Sequence, residues 1–381
     1  MVLHGLKDTD AYGDSALVAG DVAVPRLTPG DDTAVAGEYD FWDNVDFVIN
    51  QAAARGIYVA MVPVWGANVR AGLVSRDQAG RYASFLARRY RDKPNVIWIN
   101  GGDVKGSDST AIWNIIGDTL HTEDRNHLVT FHPFGRTGSF DWFDQSGWLD
   151  FNMFQSGHRR DDQDTTGRAF GENNWKYVSE ALAEAPLKPV LDGEPSYEDI
   201  PQGLHDTTQP RWTADQVRRY AYWSVFAGAC GFTYGDNAVM QMHRPGDGPG
   251  AYGVRQYWFQ GLDAPGAGQM QYLKALMLSR PYFERRGDTE LVANQGTGND
   301  YLAATRGQDY AWIYTWNGRP IDVYMNKFPG GSTKASWYNP RNGKIRSDGV
   351  FANRGISRFV PPGEEGDGND WVLTLDGIPH K

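Results

Sequence analysis

IYVAMVPVW (57–65), a short link, DQAGRYASFLARRY (77–90), a Lys93-Pro94 break and VIWINGGD (96–103) follow one another along the chain. The first run has no polar alternation, the pattern of a strand buried on both faces of a parallel sheet. The second carries apolar residues at helical spacing and closes on Arg88, Arg89 and Arg91, cations suited to the negative end of a helix. Pro94 stops it, and Val96 to Asn100 is the next strand. A strand, a helix and a strand at this interval make a parallel βα unit. Upstream, Phe41 to Arg55 forms an amphipathic helix that Gly56 ends. Downstream, helices are expected over 110–120, 174–184 and 215–229, with strands over 128–132, 149–154, 189–192 and 231–234.

This alternation predicts an α/β fold. Polar residues follow most of the strands, at Asn100, His132, Gln155, Glu194 and Asp236. In a (β/α)8 TIM barrel the carboxyl ends of the strands carry the chemistry. No G-x-G-x-x-G or G-x-x-x-x-G-K-[ST] follows the first strand, which disfavours an open nucleotide-binding sheet. The barrel is therefore the expected architecture. With Val2 to Gly5 added, the strands number seven. The first βα unit is thus expected to be missing, as in a fragment of a longer product. Beyond residue 280 the texture changes to short runs rich in Val, Ile, Thr and aromatics, over 301–305, 310–316, 321–325, 333–338 and 371–375. Asn317-Gly318, Gly330-Gly331 and Asn342-Gly343 punctuate them. The expected domains are a truncated barrel over 1–285 and an all-β sandwich over 286–381.

Composition narrows the function. The 381 residues carry 37 Lys and Arg against 47 Asp and Glu, a net charge of -10 that repels phosphate backbones and disfavours nucleic acid. No apolar run reaches the length of about 18 residues that a membrane helix needs. Cys230 is the single cysteine, so there is no disulfide framework or thiolate metal cluster, and its apolar neighbours predict a buried thiol. The opening MVLHGLKDTD lacks the basic and apolar segments of a signal peptide. Fourteen Trp, 19 Tyr and 17 Phe supply either a heavy core or rings that stack on sugars in a cleft.

Two carboxylates stand out. Asp103 follows its strand through two glycines, which let the backbone turn sharply, and Glu194 ends the run PVLDGE with Asp192 on the same side one step deeper. Two carboxylates on separate strands suit glycoside hydrolysis, one protonating the leaving oxygen and the other attacking carbon or activating water. The alternative is that each caps the helix after its strand. His132 and His158 follow strands and are candidates for substrate hydrogen bonding. No H-x-x-x-H or H-E-x-x-H occurs, so neither a metal nor any other cofactor is expected. A G-x-S-x-G esterase elbow is also absent. Trp65, Phe154 and Tyr197 are candidate stacking rings, and Lys7, Asp8 and Asp10 follow the first strand towards the same mouth.

AYGD (11–14), VPVWG (62–66), WINGGD (98–103), FQSGH (154–158), DGEPSYE (192–198) and FTYGDNAVMQ (232–241) occur in this order. Together they resemble the apiosidase-like catalytic domain of glycoside hydrolase family 140. Gly266 to Arg285 is similar to the stretch that leads, in that family, into a β-sandwich labelled as collagen-binding. The resemblance implies a TIM barrel that releases terminal apiose from pectic, rhamnogalacturonan-type plant glycans. It implies Asp103 as acid/base and Glu194 as nucleophile in an exported, secreted or periplasmic bacterial protein. Retention of configuration is expected, with inversion the alternative if the two carboxylates stand about 6.5 to 9.5 Å apart rather than about 5 Å. Trp65, Asn100, His132, Gln155, His158, Asp192, Tyr197, Glu198 and Asp236 are the expected substrate-binding residues. The G-D-T-x-W-like phrase with which members open has no counterpart here. A monomer acting on plant polysaccharide or oligosaccharide is expected. The alternatives are an arabinofuranosidase, an inactive carbohydrate-binding protein and, from the label, a collagen adhesin.

Overall fold

A computed structural model describes residues 2–378. The chain divides into two compact units, Met1–Gln155 with Ala183–Pro189, and Ser156–Leu182 with Val190–Lys381.

In the first unit, β1 (Val59–Met61), β2 (Val96–Val104) and β3 (Val129–Pro133) form a parallel sheet in sequence order, and β4 (Asn152–Phe154) follows β3. The Asp150 N–H donates to the Val129 carbonyl, and Thr130 Oγ1 to that of Phe151, which aligns the approach to β4 with β3. Helices α1 (Phe41–Ala53), α2 (Gly66–Arg70), α3 (Arg76–Tyr90), α4 (Thr110–Glu123) and α5 (Phe140–Phe143) lie between or before these strands. Asp40 and Ser75 open α1 and α3 through reciprocal capping boxes with Asp43 and Gln78. Arg89 at the end of α3 reaches Asp43 and Asp46 on α1, at 3.3 and 3.1 Å.

Three expectations need correction. The strand read over 57–65 is only three residues long. Ile57 and Tyr58 are exposed, and Pro63, with no N–H to donate, breaks the ladder. The strand read over 2–5 reduces to one parallel bridge, Leu3 to Val64. The strand read as ending at Asn100 runs on to Val104 through an irregular register, because Gly101 and Gly102 curl within it instead of leaving it.

In the second unit, β5 (Val190–Asp192) pairs in parallel with β6 (Gly231–Phe232), and α6 (Trp175–Ala183) and α7 (Ala214–Ala227) flank β5 in sequence. After β6 come α8 (Asn237–Met240), α9 (Trp258–Gly261) and α10 (Pro265–Leu278). The C-terminal antiparallel sheet has six strands in the order β12-β11-β14-β9-β8-β7. These are β7 (Arg286–Gly287), β8 (Ala303–Arg306), β9 (Tyr310–Thr315), β11 (Ser332–Tyr338), β12 (Ile345–Ala352) and β14 (Trp371–Ile378). A separate ribbon pairs β10 (Ile321–Tyr324) with β13 (Ile356–Phe359).

Strand β9 is buried on both faces. Its alternate residues Tyr310, Trp312 and Tyr314 pack with Tyr222 and Phe226 of α7 and with Leu273 and Met277 of α10. Ala311 and Ile313, pointing the other way, pack with Ile321 and Val323 of the ribbon. The larger sheet of this C-terminal region therefore has one face buried under helices. Strand β12 escaped the reading because it is an exposed edge strand whose sequence, IRSDGVFA, carries no apolar alternation. Cys230 also departs from expectation: the residue is exposed.

Candidate active site

At the end of β2, Gly101 and Gly102 adopt φ of 88° and 115°. A Cβ on Gly101 would lie 2.6 Å from the Phe131 ring, and one on Gly102 2.7 Å from that of Trp65. Only glycine satisfies both the dihedral and the space. Asp103 then sits at φ 50°, a left-handed conformation that few residues other than glycine adopt. Its N–H points at His132 Nδ1 at 3.2 Å, and the same nitrogen lies 3.1 Å from the Pro133 carbonyl, so the two contacts call for opposite tautomers of the ring. The His132 ring lies 5.9 Å from Trp65, and Trp65 6.3 Å from His4.

His4 escaped the sequence reading. No motif marks it, and its place comes from the Leu3–Val64 bridge and from Asn68 Nδ2, which donates to the His4 carbonyl at 2.7 Å. Asp8 and Asp10 instead close turns, accepting from the Gly5 N–H and from those of Tyr12 and Asp14, while Lys7 is exposed. Asn100 is buried and braces the strand, donating to the Trp113 carbonyl at 2.7 Å. Gln155 is buried too, and its Oε1 has no partner among the described residues. Phe154, a candidate stacking ring, is fully buried core, as are Trp42, Trp98, Trp113, Trp148 and several other tryptophans.

The second unit holds Glu194. His158 Nε2 lies 3.1 Å from its Oε1, and both side chains are largely buried. The Tyr197 ring meets His158 edge-on at 4.8 Å. The His158 backbone is anchored as well, its carbonyl accepting from the Gly203 N–H at 2.7 Å and from Trp212 Nε1 at 3.0 Å. One step deeper, Asp192 is fully buried and accepts from Ser156 Oγ at 3.0 Å and Asn174 Nδ2 at 2.9 Å. Burial pushes its carboxyl up to about 7, and the nearby Glu194 charge adds to that, against the opposing hydrogen bonds. Ser156 and Asn174 went unread because neither belongs to a recognisable motif.

Two other carboxylates play the capping part. Asp236 is the N-cap of α8, its Oδ1 accepting from Ala238 and Val239 N–H at 2.8 and 3.1 Å. Glu198 accepts from Tyr234 Oη at 2.6 Å and from the Gly266 N–H, in the first turn of α10, at 2.9 Å. Burial raises the pKa of both.

Residues 1–284 match the family described as apiosidase-like, catalytic domain. The chain belongs to that family. Residues 287–376 of this apiosidase-like chain match a second family, named for the collagen-binding domain of a collagenase. A solved structure titled "Glycoside hydrolase" is 42% identical, with a TM-score of 0.93, over 100% of this chain and 85% of its own. A glycoside hydrolase family 5 structure from Bacteroides vulgatus is 43% identical, with a TM-score of 0.92, over 99% of this chain and 81% of its own. No curated protein matches the chain. The apiosidase-like chain is a glycoside hydrolase.

Asp192 makes its stability depend on pH. The folded carboxyl holds its proton to about pH 7, whereas an unfolded one releases it near the ordinary aspartate value of 3.8. Between those values the folded state binds more protons, so this contribution to stability falls as pH rises from about 4 to 7. In thermal unfolding from pH 4 to 8, Asp192→Asn is expected to lack that decline, so its Tm gains on the wild type as pH rises. Parallel curves would contradict this.

Proposed function

We propose that this glycoside hydrolase removes a terminal pentofuranose, apiose, from plant pectic glycans, with Asp103 as acid/base and Glu194 as nucleophile. Membership of the apiosidase-like family over residues 1–284 carries the reading. The local chemistry supports the roles. Glu194 ends in a buried pocket beside His158, which orients its carboxylate. An oriented carboxylate that needs no reorganisation is what attack on an anomeric carbon requires. Asp103 is presented by a strained backbone that two obligatory glycines make possible, an arrangement that structure rarely maintains without use. Trp65 and His132 beside it offer a flat face and an imidazole nitrogen to a sugar.

On this reading the parallel strands belong to a (β/α)8 barrel, residues 1–285 form the catalytic domain, and configuration is retained. The two carboxylates supply the acid and the nucleophile on this reading, so the reaction is expected to need no cofactor. The substrate places the protein outside the cytoplasm of a bacterium. Product release from apiose-bearing pectic oligosaccharides tests the reading, with the anomer followed by NMR before mutarotation. Release of another sugar, or none, would overturn it.

His158→Ala is expected to lower kcat by about 10²-fold, the order that misplacement of a reacting group costs, with a smaller change in KM. Loss confined to KM would assign His158 to substrate binding instead.

A further inference from the structure

We propose that the segment after β6 carries a second sugar-binding surface, a ladder of His243, Tyr257 and Phe259. It would take the apolar face of a sugar residue beyond the one released, a reading that rests on the glycosidase function above. The three rings stack in sequence, with centroids 5.6 and 5.7 Å apart and interplanar angles of 27° and 28°. Phe259 is 47% exposed, and so are Met240 and Met242, which precede His243, and Leu262, three residues after Phe259. The carbon-bound hydrogens on one face of a pyranose or furanose are weakly positive and meet the negative face of an aromatic ring. An exposed ring backed by two half-buried ones, with exposed thioethers on the same segment, marks a place where something apolar is covered on binding.

The ladder stands ready before a ligand arrives. The Trp258 N–H donates to the His243 carbonyl at 2.9 Å, which closes the base of the loop. Gln241 exchanges hydrogen bonds with Ala251, and Asn237 Nδ2 reaches the Tyr252 carbonyl at 3.2 Å. Little ordering is left to oppose binding. The segment is also continuous with the one that bears Glu194. Both leave the carboxyl ends of the paired strands β5 and β6, and they are joined by the Glu198–Asp236 bridge and the Tyr234–Glu198 hydrogen bond. A glycan whose end sugar reaches Glu194 can therefore extend towards the ladder.

Phe259→Ala, alone and with Tyr257→Ala, tests this, with thermal unfolding recorded for each. A stacked ring contributes enough for roughly 3- to 10-fold in affinity, and the double variant about tenfold or more. The ratio of kcat/KM on a pectic oligosaccharide to that on a small aryl pentofuranoside should fall by this factor at unchanged Tm, and Phe259→Trp should preserve it. An unchanged ratio in the double variant would overturn the proposal. Binding is read separately from turnover, by retardation of Glu194→Gln in gels cast with pectic polysaccharide. Retardation should weaken with Phe259→Ala, and a protein not retarded at all, or equally retarded by both forms, would also overturn it. An inactive wild type that is still retarded through Phe259 would sink the pentofuranosidase reading and leave the ladder standing.

Discussion

Glu194→Gln is expected to abolish turnover on every substrate, with kcat lower by about 10³-fold or more, the order seen when an essential group is removed. The amide cannot attack the anomeric carbon, and a good leaving group does not help it. Asp103→Asn should behave differently. A lost general acid matters in proportion to the basicity of the departing oxygen. The Asp103 variant should therefore fall by a similar factor on pectic oligosaccharide but retain much of its first step on a dinitrophenyl glycoside. Azide separates the roles further. It should rescue Glu194→Ala to a glycosyl azide of inverted configuration, and Asp103→Ala to one of retained configuration. Equal losses on all substrates, with no azide product from either variant, would contradict the assignment. Full activity in either variant would remove that residue from the mechanism.

Asp370→Ala carries the largest expected effect on stability. Asp370 and Arg218 are buried at 0% and 3% exposure and form a two-pronged ion pair, with both nitrogen–oxygen distances 2.9 Å. Tyr314 Oη donates to the same carboxylate at 3.0 Å, and Gln269 accepts from Arg218. The pair thus ties α7 to the start of β14. Removing the carboxylate leaves a guanidinium buried without its counter-charge, at a cost of about 3–5 kcal/mol. In a chain of this size that lowers Tm by roughly 4–6 °C. Removing both charges, as in Arg218→Met with Asp370→Leu, should recover much of the loss, because the desolvation penalty goes with them. A Tm unchanged in Asp370→Ala would show that the pair does not hold the sheet to the helices. The same packing assigns the C-terminal sheet a structural part. The face that Tyr310, Trp312 and Tyr314 present is buried against α7 and α10, where no external ligand reaches it.

Local chemistry in the sequence was enough for the alternation of strands and helices in the first 240 residues. Apolar runs, the Pro94 break and the Gly56 signal act over a few residues and read directly. It was also enough to pick out Asp103, since two successive glycines before an acid imply a backbone that no other residue would accept. The ordered phrases from AYGD to FTYGDNAVMQ pointed to the family by themselves. Only the tertiary structure decided what each polar residue does. Glu194, Glu198 and Asp236 all sit on segments that follow parallel strands, yet Glu198 and Asp236 cap helices while Glu194 meets His158. Their surroundings come from residues tens of positions away, and a window of neighbours does not contain them. Asp192 illustrates the limit best: burial raises its proton affinity against hydrogen bonds from Ser156 and Asn174, which are 36 and 18 residues distant. Burial on both faces of β9 is equally non-local, because its polar-free pattern fits a parallel strand until α7 and α10 are seen to cover one side.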